Sequence, residues 1–138
     1  METSASAATV AKPDNPTLAK LKERYPNKDA SKLEGFATRI DELEKAQKEP
    51  VAWIVTADNR LLVFRRPDQD EWEDAGERLR NGERLAIVNR GLALKTVLEP
   101  TDVDMTAVFK RWPGLHARIG DALTVLVGAD EGLTAKKD

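Results

Sequence analysis

Apolar residues recur at helical spacing through most of the chain, and charged residues fill the positions between them. A stripe beginning at Leu18 predicts a first helix, which ends before Pro26 because the residue preceding a proline avoids the α region. Asp29 or Ser31 can cap a second helix, which Pro50 closes. The apolar stripe of this second helix consists of Leu33, Phe36, Ala37, Ile40 and Leu43.

Two runs of β-branched and aliphatic residues, at 51–56 and 61–65, interrupt the helical pattern and predict strands. Asp58-Asn59 lies between them, and both residues tolerate the left-handed conformations of a two-residue hairpin turn. A lone hairpin is marginally stable in water, so it must pack on a helix or on another chain. The cross-strand pairs predicted by this turn are Val55 with Leu62 and Trp53 with Phe64.

Four further helices are predicted after the hairpin. Asp68 or Asp70 caps one over about residues 69–80, with acids at its start and bases at its end, as the helix macrodipole favours. Asn81-Gly82 then supplies a C-cap and turn. The remaining helices are predicted over residues 83–98, from a cap at Asp102 or Asp104 to Trp112, and from Leu115 to near Gly128.

These elements predict a mainly α fold, a small helical domain with one β-hairpin (about residues 51–65) and a disordered N-terminal tail. The tail comprises residues 1–16, which offer too little apolar surface to offset the cost of ordering. Residues 17–50 form an N-terminal helical segment in this prediction. Residues 51–128 form the hairpin plus helical domain, and residues 129–138 form a frayed C-terminus.

The charge balance disfavours a dedicated nucleic-acid binder. The formal net charge is -2, with 22 Lys and Arg against 24 Asp and Glu, whereas phosphate recognition usually requires a basic excess. A basic stripe could still form, but acids are interleaved with most of its members, so a salt-bridged surface is the favoured interpretation. The stripe would consist of Arg65, Arg66, Arg78, Arg80, Arg84, Arg90, Lys110 and Arg111.

Candidate catalytic and metal-binding chemistry is scarce. The chain has no cysteine and a single histidine, His116, for which a solvent-exposed or capping role is favoured. The stretch Asp68–Glu71 resembles the opening of a calcium loop, but its sixth position is Glu73 rather than Gly and its twelfth is Leu79 rather than Glu. We therefore expect no enzyme activity, no catalytic residue, no metal and no cofactor.

The sequence also gives expectations for localisation. No apolar run approaches the roughly 20 residues that a membrane helix needs, and the first residues lack the basic and apolar regions of a secretory signal. The absence of cysteine fits a reducing compartment. We expect a cytoplasmic protein that does not enter a membrane.

Tryptophan is the most unusual component of the sequence. Trp53, Trp72 and Trp112 each lie at the edge of an amphipathic pattern. Core packing is the favoured interpretation of each, although Trp is also enriched at the hot spots of protein interfaces. If a helical face binds a partner, the candidate anchors are Trp72, Phe109, Trp112 and Leu115.

From residue 51 onward, several short segments occur in a characteristic order. They are Val63-Phe64-Arg65-Arg66-Pro67, Glu71-Trp72, Thr96–Asp102, Arg111-Trp112-Pro113-Gly114-Leu115, Ile119-Gly120 and Leu126-Val127-Gly128. In this order the segments resemble the tail assembly chaperones of long-tailed bacteriophages and related prophages, over about residues 51–128. Where this chain has Thr96–Asp102, that family often has a Cys-Val-Val-Tyr-Pro-Asp type of stretch. Residues 1–50 lie outside the resemblance.

The resemblance implies a function in phage tail assembly. Such chaperones coat the long, helical, aggregation-prone tape measure protein and recruit tail tube subunits around it. The implied partners are therefore the tape measure protein and the tail tube protein. The implied location is the host cytoplasm. A homo-oligomer is a further possibility. The alternatives are a small virion structural or connector protein, and a nucleic-acid-binding regulator that uses the arginine stripe.

Overall fold

A computed structural model describes residues 15–128, which form six helices and one three-stranded antiparallel sheet. The prediction of a mainly α fold that contains a β-hairpin is confirmed. The chain divides into two compact units, residues 1–45 and residues 46–138. Most of the predicted N-terminal tail and the predicted frayed C-terminus lie outside the described residues.

The first helix, α1, spans Pro16–Arg24. Asn15 is its N-cap, and the Asn15 side chain accepts a hydrogen bond of 3.0 Å from the Leu18 amide. Pro16 suits the first helical position because its φ angle is already fixed and no N–H is needed there. Residues 15 and 16, which the sequence analysis assigned to the tail, therefore belong to the start of this helix. The helix ends at a C-cap on Tyr25, directly before Pro26, as predicted.

The second helix, α2, spans Ala30–Gln47. The Asp29 carboxylate accepts a hydrogen bond of 2.9 Å from the Ser31 amide, so Asp29 provides the predicted cap. Two hydrogen bonds join α1 to α2, because the side chains of Asn15 and Thr17 donate to Asp41 over 3.1 and 2.8 Å. The buried residues of α2 are Leu33, Ala37 and Ile40.

In the second unit, β1 (Ala52–Val55) and β2 (Leu61–Phe64) form the predicted hairpin. The predicted register is wrong by one residue, because the loop contains three residues rather than two. The Thr56 amide donates to the Arg60 carbonyl over 2.9 Å, and Asn59 adopts a left-handed φ of 65°. A three-residue loop with a left-handed residue is a common hairpin connection. The observed pairs are Ala52 with Phe64, Trp53 with Val63, Ile54 with Leu62 and Val55 with Leu61.

A third strand, β3 (Val97–Glu99), was missed by the sequence analysis, which extended a helix through residue 98. It pairs with β2 and gives the sheet the order β1-β2-β3. The exposed backbone groups of a hairpin edge need partners, and the β-branched Val97 favours an extended conformation there. The Arg65 amide donates to the Thr96 carbonyl over 2.9 Å, at the point where the helix becomes the strand.

The remaining helices are α3 (Gln69–Arg80), α4 (Leu85–Thr96), α5 (Asp102–Arg111) and α6 (Leu115–Leu126). Asp68 and Glu71 form a capping box at the start of α3, whose predicted range is confirmed. The cap of α5 was predicted wrongly. Thr101, rather than either aspartate, is the N-cap, and its hydroxyl accepts a hydrogen bond of 3.1 Å from the Asp104 amide.

One hydrophobic core joins the sheet to the helices of this unit. Helix α4 packs against α3, α5 and α6, and α6 packs against β1. No helix within residues 15–128 is long and apolar enough to cross a membrane. The buried core residues are Ala52, Ile54, Leu62, Phe64, Ala75, Val88, Leu92, Ala93, Met105, Val108, Phe109, Leu115, Ile119 and Leu123.

Candidate protein-binding groove

The four predicted anchors occupy two different environments. Phe109 and Leu115 belong to the core, with 7% and 8% of their surface exposed. Trp72 and Trp112 are half-buried and pack against the same core from outside. The structure does not bring the four together, because Trp72 lines a groove beside α3, whereas Trp112 and Leu115 line a separate pocket near the hairpin turn.

The groove beside Trp72 lies between α3, α4 and α6 and has a volume of about 300 Å³. Its lining is mainly apolar, which is typical of sites that bind an apolar surface of a ligand or partner. Helix α3 contributes Trp72, Ala75, Gly76 and Leu79; α4 contributes Leu85, Val88, Asn89 and Leu92; α6 contributes Ala117, Gly120, Asp121 and Thr124.

The helical spacing of α3 explains one wall of the groove. Ala75 and Gly76 follow Trp72 by three and four residues, and Leu79 follows them by four and three residues, so the four share one face of the helix. Large side chains stand at the two ends of this face, and small ones lie between them. The small residues in the middle of this wall are Ala75 and Gly76.

The floor of the groove depends on a close contact between α4 and α6. The Asn89 side chain lies directly over Gly120, where an added Cβ atom would come within 2.7 Å of Asn89 Nδ2. Asn89 Nδ2 also lies 3.3 Å from His116 Nδ1. His116 is half-buried at this helix contact, rather than in the solvent-exposed or capping position that the sequence analysis favoured.

The rim of the groove exposes apolar side chains to solvent. Leu79 is 40% exposed and Leu85 is 53% exposed, although both are large hydrophobic residues. The sequence did not predict the exposure of either residue. The position of Leu85 as the first residue of α4 is the one signal that could have indicated it, because a terminal helical residue lies at the edge of the packed face.

Charges of both signs flank the apolar rim. Asp121 lies in the groove lining on α6. On α3, Arg80 Nη1 lies 3.5 Å from the position that a Cβ atom on Gly76 would take, so the guanidinium borders the groove. A partner with both acidic and basic side chains beside an apolar stripe would meet complementary charges here.

The predicted arginine stripe is salt-bridged at four of its members. Arg65 pairs with Glu71 at 2.8 Å and Arg66 with Glu49 at 3.8 Å. Arg78 lies 3.3 Å from Glu83, and Arg111 lies 3.9 Å from Asp58. The prediction of an ion-paired surface is confirmed at these positions, and such pairing reduces the positive field available to a phosphate backbone.

The acidic residues that were considered as metal ligands cap a helix. Asp68 and Glu71 cap α3, which confirms that this acidic stretch opens a helix. Within residues 15–128, no group of three or more His, Asp or Glu residues is arranged to hold a metal ion. The groove instead combines apolar walls with a few polar groups, a composition that suits binding of a protein segment.

Comparisons of this chain with protein-family models, with curated proteins and with solved structures found no match.

Proposed function

We propose that this chain is a phage tail assembly chaperone that binds the tape measure protein and helps tail tube assembly. The groove between α3, α4 and α6 receives the apolar face of an amphipathic helix of the tape measure protein. The observation that carries the proposal is the exposure of Leu79 and Leu85 at the rim of an apolar groove, beside the half-buried Trp72.

The dimensions of the groove suit one helix. Trp72 and Leu79 are seven residues apart, which places them about 10 Å apart along the axis of α3 at 1.5 Å per residue. That distance matches about two turns of a partner helix, whose apolar residues at positions i, i+3 or i+4, and i+7 would follow the same interval. Ala75 and Gly76 leave room for the central side chain of such a stripe.

Burial of an apolar stripe explains why a groove of this kind can act as a chaperone. A long amphipathic helix exposes contiguous apolar surface until it reaches its assembled state, and such surface promotes aggregation. Covering the stripe removes it from water without any covalent chemistry. Arg80 and Asp121, at the border of the groove, can pair with the charged residues that flank the stripe. Recruitment of the tail tube protein rests on the sequence resemblance alone.

The experiment is co-expression of this chain with the tape measure protein of its own genome. We expect the partner to be recovered in soluble form only when this chain is present, and to co-purify with it. Leu85→Glu should abolish recovery, because a carboxylate would be buried against the apolar stripe of the partner. The matched control is Val103→Glu on α5, since Val103 is 75% exposed and does not line the groove.

Both variants change an exposed residue, so both should retain the melting temperature and helical circular dichroism of the wild type. Equal recovery of the tape measure protein with and without this chain would contradict the chaperone function. Loss of recovery with Val103→Glu and not with Leu85→Glu would show that the partner contacts a surface outside the groove.

A further inference from the structure

The segment Arg111-Trp112-Pro113-Gly114-Leu115 forms a second concave surface that the proposed groove does not use. With the hairpin turn and α6 it borders a mainly apolar pocket of about 330 Å³. Among residues 15–128, none lines both this pocket and the groove. The lining residues are Thr56, Ala57, Arg111, Trp112, Pro113, Gly114, Leu115 and Arg118.

Two arginines border this apolar pocket. The Arg111 guanidinium lies 5.2 Å from the centroid of the Trp112 ring, close enough for a cation–π contact. The Arg111 side chain is nevertheless 68% exposed, so its donors can reach a ligand. Arg118, one turn into α6, is exposed as well. Within residues 15–128, no carboxylate lies within ion-pair distance of Arg118.

Within the described part of the chain, Asp58 is the carboxylate paired with Arg111. Asp58 lies 3.9 Å from Arg111 Nε, and it accepts a hydrogen bond from the Thr56 hydroxyl in the hairpin turn. That hydrogen bond lowers the pKa of Asp58 below its ordinary value, so Asp58 stays ionised at neutral pH. The lining of the pocket therefore includes one partly neutralised arginine, Arg111, and one arginine available for pairing, Arg118.

We infer that this pocket binds a short acidic segment of a partner protein. One large apolar side chain of the segment packs against Trp112, Pro113 and Leu115. Carboxylates next to it in the sequence pair with Arg118 and Arg111. Peptide binding at this pocket is independent of helix binding in the groove, because the lining residues of the two surfaces differ.

Charge complementarity favours an acidic peptide over a nucleic acid at this pocket. A peptide can place two carboxylates beside the two arginines and leave an uncharged backbone near Asp58. A nucleic-acid strand would instead bring a continuous row of phosphates past the Asp58 carboxylate.

The test uses fluorescence anisotropy with a labelled, end-capped hexapeptide of sequence EDLFDE, and QNLFNQ as the uncharged control. We expect the acidic peptide to bind, and its affinity to fall as salt is raised. QNLFNQ should bind at least fivefold more weakly. Arg118→Ala should weaken binding of EDLFDE by about fivefold or more, because it removes a charge-assisted contact. Arg84→Ala, which removes the same charge outside the pocket, should have no effect.

Asp58→Asn provides a gain-of-affinity test. Asparagine can keep a hydrogen bond with Thr56 but no longer neutralises Arg111, so binding of EDLFDE should strengthen, by up to about fivefold for an exposed ion pair. Absence of binding would overturn the inference. Equal losses with Arg118→Ala and Arg84→Ala, or tighter binding of an eight-nucleotide single-stranded DNA than of EDLFDE, would overturn it as well.

Discussion

Arg65 binds Glu71 through two parallel hydrogen bonds, from Nη1 to Oε1 and from Nη2 to Oε2, each 2.8 Å long. The same carboxylate accepts a hydrogen bond of 3.0 Å from the Asp68 amide and so completes the capping box of α3. Arg65 Nη2 also donates to the Lys95 carbonyl over 2.9 Å, near the end of α4. One ion pair therefore joins the end of β2 to two of the three helices that form the groove.

Glu71→Gln should lower the free energy of unfolding by about 1–2 kcal/mol, because hydrogen bonds to charged groups contribute more than neutral ones. Glutamine still fits a capping box, so the substitution keeps the cap and removes the negative charge together with the acceptor for Arg65 Nη2. The matched control is Glu49→Gln, which removes the looser 3.8 Å pair with Arg66 and should cost at most about 0.5 kcal/mol. Urea unfolding followed by circular dichroism measures both values, and equal costs would contradict the role assigned to the Arg65–Glu71 pair.

The same pair gives a pH dependence. Hydrogen bonding to Arg65 lowers the pKa of Glu71 from 4.5 to about 2 in the folded protein. A lowered folded-state pKa stabilises the fold above the unfolded value, and this contribution is lost as pH falls through the folded value. The difference in unfolding free energy between wild type and Glu71→Gln should be constant above pH of about 5 and disappear towards pH of about 2. A difference that stays constant down to pH of about 2 would show that the charge is not the stabilising feature.

Gly120→Ala should destabilise the protein by about 1–3 kcal/mol, because the added methyl group overpacks the contact with Asn89. Gly35→Ala is the control, since nothing lies within 4 Å of a Cβ atom there and the helix should gain up to about 1 kcal/mol. Combining Gly120→Ala with Asn89→Ala should recover part of the loss, because the clashing amide is removed. Thermal unfolding of the wild type, Gly120→Ala, Asn89→Ala and the double variant gives the coupling, and strictly additive losses would argue against direct contact.

Phe109→Ala should cost about 3–5 kcal/mol of stability, as expected when a large core side chain is removed. Leu85→Ala should cost much less, since Leu85 is 53% exposed. Among variants that remain folded, Leu85→Ala should weaken partner binding more than Phe109→Ala does. Chemical denaturation beside a pull-down of the tape measure protein separates the two effects, and similar stability losses for both variants would contradict the assignment of Leu85 to the rim.

Local signals in the sequence predicted much of this fold. Pro26 and Asp29 marked the boundary between the first two helices, and Asp68 with Asn81-Gly82 marked both ends of α3. These signals succeed because proline geometry and capping hydrogen bonds act within a few residues. The two β-branched and aliphatic runs also located the hairpin.

Features that depend on distant contacts were not predicted. The third strand forms because β2 offers an unpaired edge, which no local pattern around Val97 reveals. The hairpin register depended on whether Ala57 joined the loop, and one residue shifted every pair. The groove was missed for the same reason, since the exposure of Leu85 is set by how closely α3, α4 and α6 approach.

Site-specific photocrosslinking shows directly whether the tape measure protein binds in the groove. A photoreactive phenylalanine analogue is placed at position 85, on the groove rim, or at position 103, on the exposed face of α5, and each protein is co-expressed with the tape measure protein. We expect an ultraviolet-dependent crosslink to a helical segment of the tape measure protein from position 85, and none from position 103. A crosslink from position 103 alone, or no crosslink from position 85 while the two proteins still co-purify, would contradict binding in the groove.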